Sequence, residues 1–277
     1  MPFYGQYNLV STNIHPEIQK VTDIEKHLDE GLKNGYNQNQ ILHTSYIDNA
    51  TSIVEYLLTV NVAQKLIDWN EENGWIYSLY LEYPTEKYFK NAFLPYMEVV
   101  ENIFDMNIIH PQVAKSLIEN NDIRTGRLDL VVCKEKMGFY DFKESLIGIE
   151  LKGINPGFEK VIEDINRLVL AIEMKDDKFN NSIQSGYCLH IKKLGGDKKL
   201  STKKDLEKAM NKSIENLKNV IKLNVKKTTA KINITSNIIS MKTTEDFSED
   251  ANKEDLTADE VAEGTKIVFS VMIKITA

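Results

Sequence analysis

The stretch that decides the fold begins Gly126-Arg-Leu-Asp129-Leu-Val-Val132, crosses a polar passage and resumes as Ile147-Gly-Ile-Glu150-Leu-Lys152-Gly153. Leu128, Leu130 and Val132 alternate with Arg127, Asp129 and Val131, while Ile147 and Ile149 alternate with Gly148 and Glu150, so each end predicts a β-strand. The passage Cys133–Ser145 is polar and charged and predicts a loose hairpin connection. Strand side chains repeat every two residues, so Glu150 and Lys152 share a face, and pairing of the strands brings Asp129 beside them. Two carboxylates and an ammonium at the end of an apolar hairpin need partners or a metal. Hard oxygen donors of this kind suit Mg²⁺, which takes one or two carboxylates and keeps several waters.

Outward from the hairpin, the N-terminal side predicts a helix from Val21 to Leu32, with Ile24, Leu28 and Leu32 at helical spacing and a stop at Asn34-Gly35. A stronger helix follows, capped by Asp48 or Thr51, with a broad apolar face from Ile53 to Ile67 and an end near Asn70. Glu55 lies within that apolar run. Trp75–Tyr83 is aromatic and aliphatic enough for a strand, and Pro84 stops it. Residues 85–123 predict short helices, Glu86–Phe104 and Pro111–Asn120 being the clearest. Past Lys152, the Gly153–Gly157 loop leads into a helix over Phe158–Met174 with an apolar stripe of Val161, Ile165, Leu168, Val169 and Ile172. Lys160, Asp164 and Arg167 recur at i, i+4 and i+7 on its more polar side, where ordinary intrahelical ion pairing accounts for them. Gly186–Ile191 is the next strand, and His190 reads as a strand-end histidine. Ser201–Leu223 predicts a lysine-rich helix, and Thr229–Met241 and Lys266–Thr276 predict two closing strands.

Asp129 with Glu150-Leu151-Lys152 resembles the PD-(D/E)xK, or restriction-endonuclease-like, nuclease superfamily; Arg127-Leu128 stands where the motif has its proline. The resemblance implies an α/β fold with an αβββαβ core, a mixed central sheet flanked by helices, and a C-terminal helix and β-hairpin extension. It divides the chain into an N-terminal segment 1–48, a nuclease-like core 49–192 with a helical insertion at about 85–123, and a C-terminal part 193–277. It further implies that Asp129, Glu150, Lys152 and Glu55 are catalytic, with Asp129, Glu150 and Glu55 holding Mg²⁺ or Mn²⁺. Glu82, Lys160, Asp164 and Arg167 are secondary candidates. The implied activity is hydrolysis of phosphodiester bonds by an endo- or exodeoxyribonuclease, with DNA as the partner, RNA not distinguished from it, and a restriction or anti-phage setting. A homodimer or a partner subunit is left open.

Composition frames these expectations. The chain has 277 residues, 42% of them hydrophobic, enough to bury a good core as one large domain or one domain with an appendage. No run of about 18 apolar residues predicts a membrane span, and the N-terminus lacks the basic and apolar regions of a signal peptide. Cys133 and Cys188 sit in apolar runs without a ligand cluster, so they read as free buried thiols in a reducing cytosol. The net charge of −7 is unevenly placed: Glu245–Glu263 holds nine acids and one lysine, whereas Lys192–Lys227 holds twelve lysines and four acids. Lys192, Lys193, Lys198, Lys199, Lys203 and Lys204 therefore stand as nucleic-acid-binding candidates, although a solvated helix face would look the same. Two other classes remain open. One is a catalytically silent nuclease-fold module that binds nucleic acid or a protein partner; the other is an inhibitor protein that uses the acidic segment 245–263.

Overall fold

The computed structural model describes residues 24–43, 50–92, 126–136, 142–174, 181–195, 202–244, 246 and 265–277. Its helices are α1 (Ile24–His43), α2 (Ala50–Glu72), α3 (Thr85–Asn91), α4 (Phe158–Glu173) and α5 (Lys203–Asn224). Its strands are β1 (Tyr77–Pro84), β2 (Arg127–Lys136), β3 (Phe142–Ile154), β4 (Ser185–Gly195), β5 (Lys231–Lys242) and β6 (Lys266–Thr276). The strands form one six-stranded sheet in the order β1-β2-β3-β4-β6-β5. Only β3 and β4 run parallel, the pair joined through α4; the other neighbours are antiparallel. The protein is thus a mixed α/β fold with helices on both faces of a mixed sheet.

Each face has its own core. Ile147, Ile149 and Leu151 of β3 join Leu130, Val132 and Leu189 beneath α1 and α2. On the other face, Val161, Ile165 and Leu168 of α4 pack with Val131, Cys188, Val271 and the α3 residues Tyr88 and Phe89. Strand alternation therefore sends Gly148, Glu150 and Lys152 toward α4. The C-terminal hairpin enters the same sheet, because β6 pairs along its length with β4. Thr202 caps α5 by accepting a hydrogen bond from the Asp205 N–H, and α5 packs on the α4 face.

Several expectations need correction. Helix α1 does not stop at Asn34-Gly35 but runs on to His43. Gly31 and Gly35 serve close helix packing: a Cβ on Gly31 would lie 2.6 Å from Val62 Cα, and one on Gly35 would lie 3.0 Å from Leu58 Cα. Strands β2 and β3 extend to Lys136 and back to Phe142, well into the passage expected as a loop. β1 starts at Tyr77 rather than Trp75, which has φ +60. Thr51 lies inside α2 rather than at its cap, and Asp48 lies outside the described residues. His190 is not at a strand end: it sits mid-way along β4 and is fully buried. The expected helix Pro111–Asn120, most of the insertion, Lys198, Lys199 and most of the acidic segment lie outside the described residues. No described helix is long and apolar enough to cross a membrane, and Cys133 and Cys188 are buried thiols outside any disulfide.

Candidate active site

The site forms where β2 and β3 part. Their ladder pairs Leu130 with Ile149, and one residue further on the Asp129 side chain takes over. Its Oδ2 accepts the Leu151 N–H at 2.6 Å. The alternation of β2 breaks at the same point, since Leu128 and Val131 both bury on the α4 face. Asp129 thus stands in the gap between the strands rather than on a regular strand face. Burial raises its carboxyl above the ordinary range; the Leu151 N–H and Lys152 oppose the rise, and the charges of Glu55 and Asp164 add to it. Glu55 on α2 is therefore close enough to act on Asp129.

Glu150 and Lys152 project from β3 beneath α4, and α4 answers with two charged residues. Arg167 Nη2 lies 2.5 Å from Glu150 Oε1 and 2.8 Å from Asp164 Oδ1. Lys152 Nζ lies 2.8 Å from Asp164 Oδ2 and 3.2 Å from the Leu151 carbonyl. Glu150, Asp164 and Arg167 are all buried. Asp164 and Arg167 thus do more than pair within the helix: an i, i+3 pair on α4 clamps the two charges of β3. Lys160, one turn earlier, stays exposed. Intrahelical pairing therefore holds for Asp164 with Arg167 but is only part of their account, since both also reach across to β3, while Lys160 lies in the exposed first turn.

Burial raises the Glu150 carboxyl to about 9; Arg167 and Lys152 pull it down, while Asp164 and Asp129 push it up. Burial lowers the Lys152 ammonium, but Asp164, Asp129 and Glu150 outweigh that and leave it above its ordinary value. Lys152 is therefore a fixed cation, suited to offsetting negative charge and not to removing protons. Tyr88, which no local pattern singles out, lies at the same place. It is fully buried, burial and the charges of Cys133 and Glu150 raise its phenol, and its hydroxyl has no hydrogen-bond partner. Gly148 leaves the room for it: a Cβ there would lie 2.7 Å from Tyr88 Oη.

The other candidates fall away from this cluster. Glu82 stands opposite Asp129 in the β1–β2 register, but with φ +50 and an exposed side chain. Lys192 and Lys193 lie on β4, and Lys203 and Lys204 in the exposed first turn of α5.

The donor chemistry suits a hard divalent cation. Among the described residues, Asp129, Glu150 and Asp164, with the charge of Glu55 acting on Asp129, outnumber Lys152 and Arg167, and Glu150 Oε1, Asp164 Oδ2 and Arg167 Nε are buried without an aligned hydrogen bond. As the side chains lie, no three such donors among the described residues converge on one point, because Glu150 and Asp164 are turned onto the two cations. Compared with known proteins, the chain matches no family model, no curated protein and no solved structure.

Proposed function

We propose that the protein is a metal-dependent nuclease of restriction-endonuclease-like fold that hydrolyses phosphodiester bonds, with DNA as its substrate. The observation that carries this reading is the cluster at the end of β3 in which three carboxyl groups, buried Glu150 and Asp164 and half-buried Asp129, gather around two cations, Lys152 and Arg167. The order α2-β1-α3-β2-β3-α4-β4, in which α3 belongs to the insertion between β1 and β2, and the spacing of the motif residues support it. Asp129 and Glu150, with Glu55, would hold Mg²⁺ or Mn²⁺. Bound there, the ion supplies Lewis-acid polarisation of the phosphate and acidifies the attacking water.

The chain's own residues do the rest. Lys152, fixed by Asp164, presents its ammonium to the phosphoryl oxygens and offsets the charge that builds there. Asp164 positions Lys152 and keeps it protonated. Arg167 holds Glu150 in place until a cation competes for that carboxylate. The backbone of Leu151 sets the direction of Asp129.

The ion pairs Glu150–Arg167 and Lys152–Asp164 also favour a second reading, a silent nuclease-fold module in which the four charges form a structural network. Cleavage of plasmid and linear DNA with Mg²⁺ or Mn²⁺ against EDTA, for the native chain, Asp129→Ala and Lys152→Ala, separates the two. Metal-dependent cutting lost in both variants is the expected result; DNA binding without cutting selects the module.

A further inference from the structure

Outside the charged cluster, the start of α4 and the second half of β4 carry an aromatic ring and two lysines that the chemistry above does not use. Phe158 opens α4 and is 42% exposed. Lys192 Nζ stands over that ring, 5.0 Å from its centroid. The ammonium is half-buried and burial alone lowers its pKa, with no carboxylate opposing the shift. Lys193, next on β4, is exposed, and its backbone is pinned on both sides. Asn155 Oδ1 accepts the Lys193 N–H at 3.0 Å, and Asn155 Nδ2 donates to the Lys193 carbonyl at 3.1 Å. Asn155 follows Lys152 by three residues and adopts φ +51 to make the turn. Phe158 precedes Asp164, the partner of Lys152, by six residues, about 9 Å along the helix axis.

Lys192 stands over one face of a ring that belongs to a residue substantially open to solvent. A flat heterocycle can stack on the opposite face, and an anion attached to it then comes within reach of Lys192 and Lys193. A nucleobase with its phosphate has that shape and charge, provided the base is not already stacked in a duplex. We propose that Phe158, Lys192 and Lys193 form a subsite that stacks one unpaired nucleobase and pairs its phosphate. The candidate site would thereby prefer single-stranded or frayed nucleic acid. The inference rests on the nucleic-acid reading above, and it concerns binding, which is measurable without cleavage.

The test is fluorescence anisotropy in EDTA with a labelled single-stranded 20-mer and the matching duplex. The native chain is expected to bind the single strand more tightly than the duplex. Phe158→Ala weakens single-strand binding about tenfold, while Phe158→Trp stays within about twofold of native, since stacking tolerates any aromatic ring. Lys192→Met weakens binding and lowers the slope of log affinity against log salt by about 0.7, one phosphate contact to a single strand. Melting temperatures establish that each variant folds, and the Trp and Met variants carry the test if Phe158→Ala does not. Equal affinity of native and Phe158→Ala for the single strand overturns the proposal, as does a native chain that binds no single strand. Phe158-dependent binding without cleavage in Mg²⁺ or Mn²⁺ sinks the nuclease reading instead and leaves the subsite standing.

Discussion

Asp129 Oδ2 stands in for the backbone of its own strand, accepting the Leu151 N–H at 2.6 Å where β2 and β3 separate. One side chain therefore closes the end of the ladder and offers its second oxygen to the site. The two duties are separable. Asp129→Asn keeps an acceptor oxygen and should change stability by less than about 0.5 kcal/mol, while metal-dependent cleavage falls on the order of a hundredfold or more. Asp129→Ala also leaves the Leu151 N–H unpaired and should cost about 1–2 kcal/mol in urea unfolding. If Asn and Ala destabilise alike, the hydrogen bond is not what closes the strand end.

Much of this arrangement is legible in the sequence, and the reason is periodicity. The alternation Ile147–Leu151 and the stripe Val161–Ile172 fix β3 and α4 and their buried faces, which in turn place Glu150 and Lys152 under α4. Local pattern does not reveal partners distant in sequence. Gly35 has the local look of a helix stop, and only its close packing on α2, where a Cβ at Gly35 would lie 3.0 Å from Leu58 Cα, shows otherwise. Asp164 and Arg167 likewise read as a surface pair, because nothing within α4 announces that it crosses over two β3 charges. The placement of β6 between β4 and β5 is equally silent, being decided by pairing across more than seventy residues of chain.

The raised carboxyl of Glu150 makes metal-free stability fall with pH. The folded state keeps this proton up to about 9, whereas the unfolded chain releases it near 4.5. Between those values the folded state binds more protons, so the stabilisation present at low pH is lost as pH rises through the window. Glu150→Gln removes the linkage. At pH 8 in EDTA the variant should be more stable than the native chain by about 1–3 kcal/mol, and saturating Mg²⁺ should raise the native melting temperature but not that of the variant. A native profile no steeper than that of Glu150→Gln refutes the assignment.

Arg167 is the cation shared by two buried carboxylates, with Nη2 at 2.5 Å from Glu150 and 2.8 Å from Asp164. Arg167→Met leaves both oxygens without that charge and should cost about 3–5 kcal/mol. Above about pH 9, where Glu150 is ionised in the folded state, adding Glu150→Gln to it should recover a large part of the loss, because the surplus charge goes with it. Simple additivity of the two changes, measured by denaturant unfolding, would show that the residues are not coupled.

Tyr88 and Gly148 form a size-matched pair, since the hydroxyl occupies the space that a Cβ on residue 148 would need. Gly148→Ala should destabilise by about 1–3 kcal/mol through overpacking. Tyr88→Phe deletes a buried hydroxyl that has no partner and should leave stability equal or slightly higher. If the hydroxyl supports Glu150 once a cation draws that side chain away from Arg167, Tyr88→Phe will also weaken Mg²⁺ affinity, read from the metal dependence of the melting temperature. An unchanged metal dependence would restrict Tyr88 to packing.

His190 sets the acid limit of the fold. It is fully buried in β4, neither ring nitrogen has a hydrogen-bond partner, and burial lowers its pKa to about 3, with Lys192 adding to the fall. The unfolded histidine takes up a proton near 6.5. Between about 3 and 6.5 the unfolded chain therefore binds more protons than the folded one, and the stability present above 6.5 is lost as pH falls. At pH 5 the loss from this residue should be about 2 kcal/mol. His190→Leu should match the native chain within about 1 kcal/mol at pH 7.5 and exceed it increasingly below pH 6, because the leucine neither titrates nor leaves nitrogens unpaired. The difference curve between the two proteins isolates this residue from every other titrating group. A flat difference between pH 7.5 and 4.5 would mean that the imidazole already has a proton acceptor in the folded state.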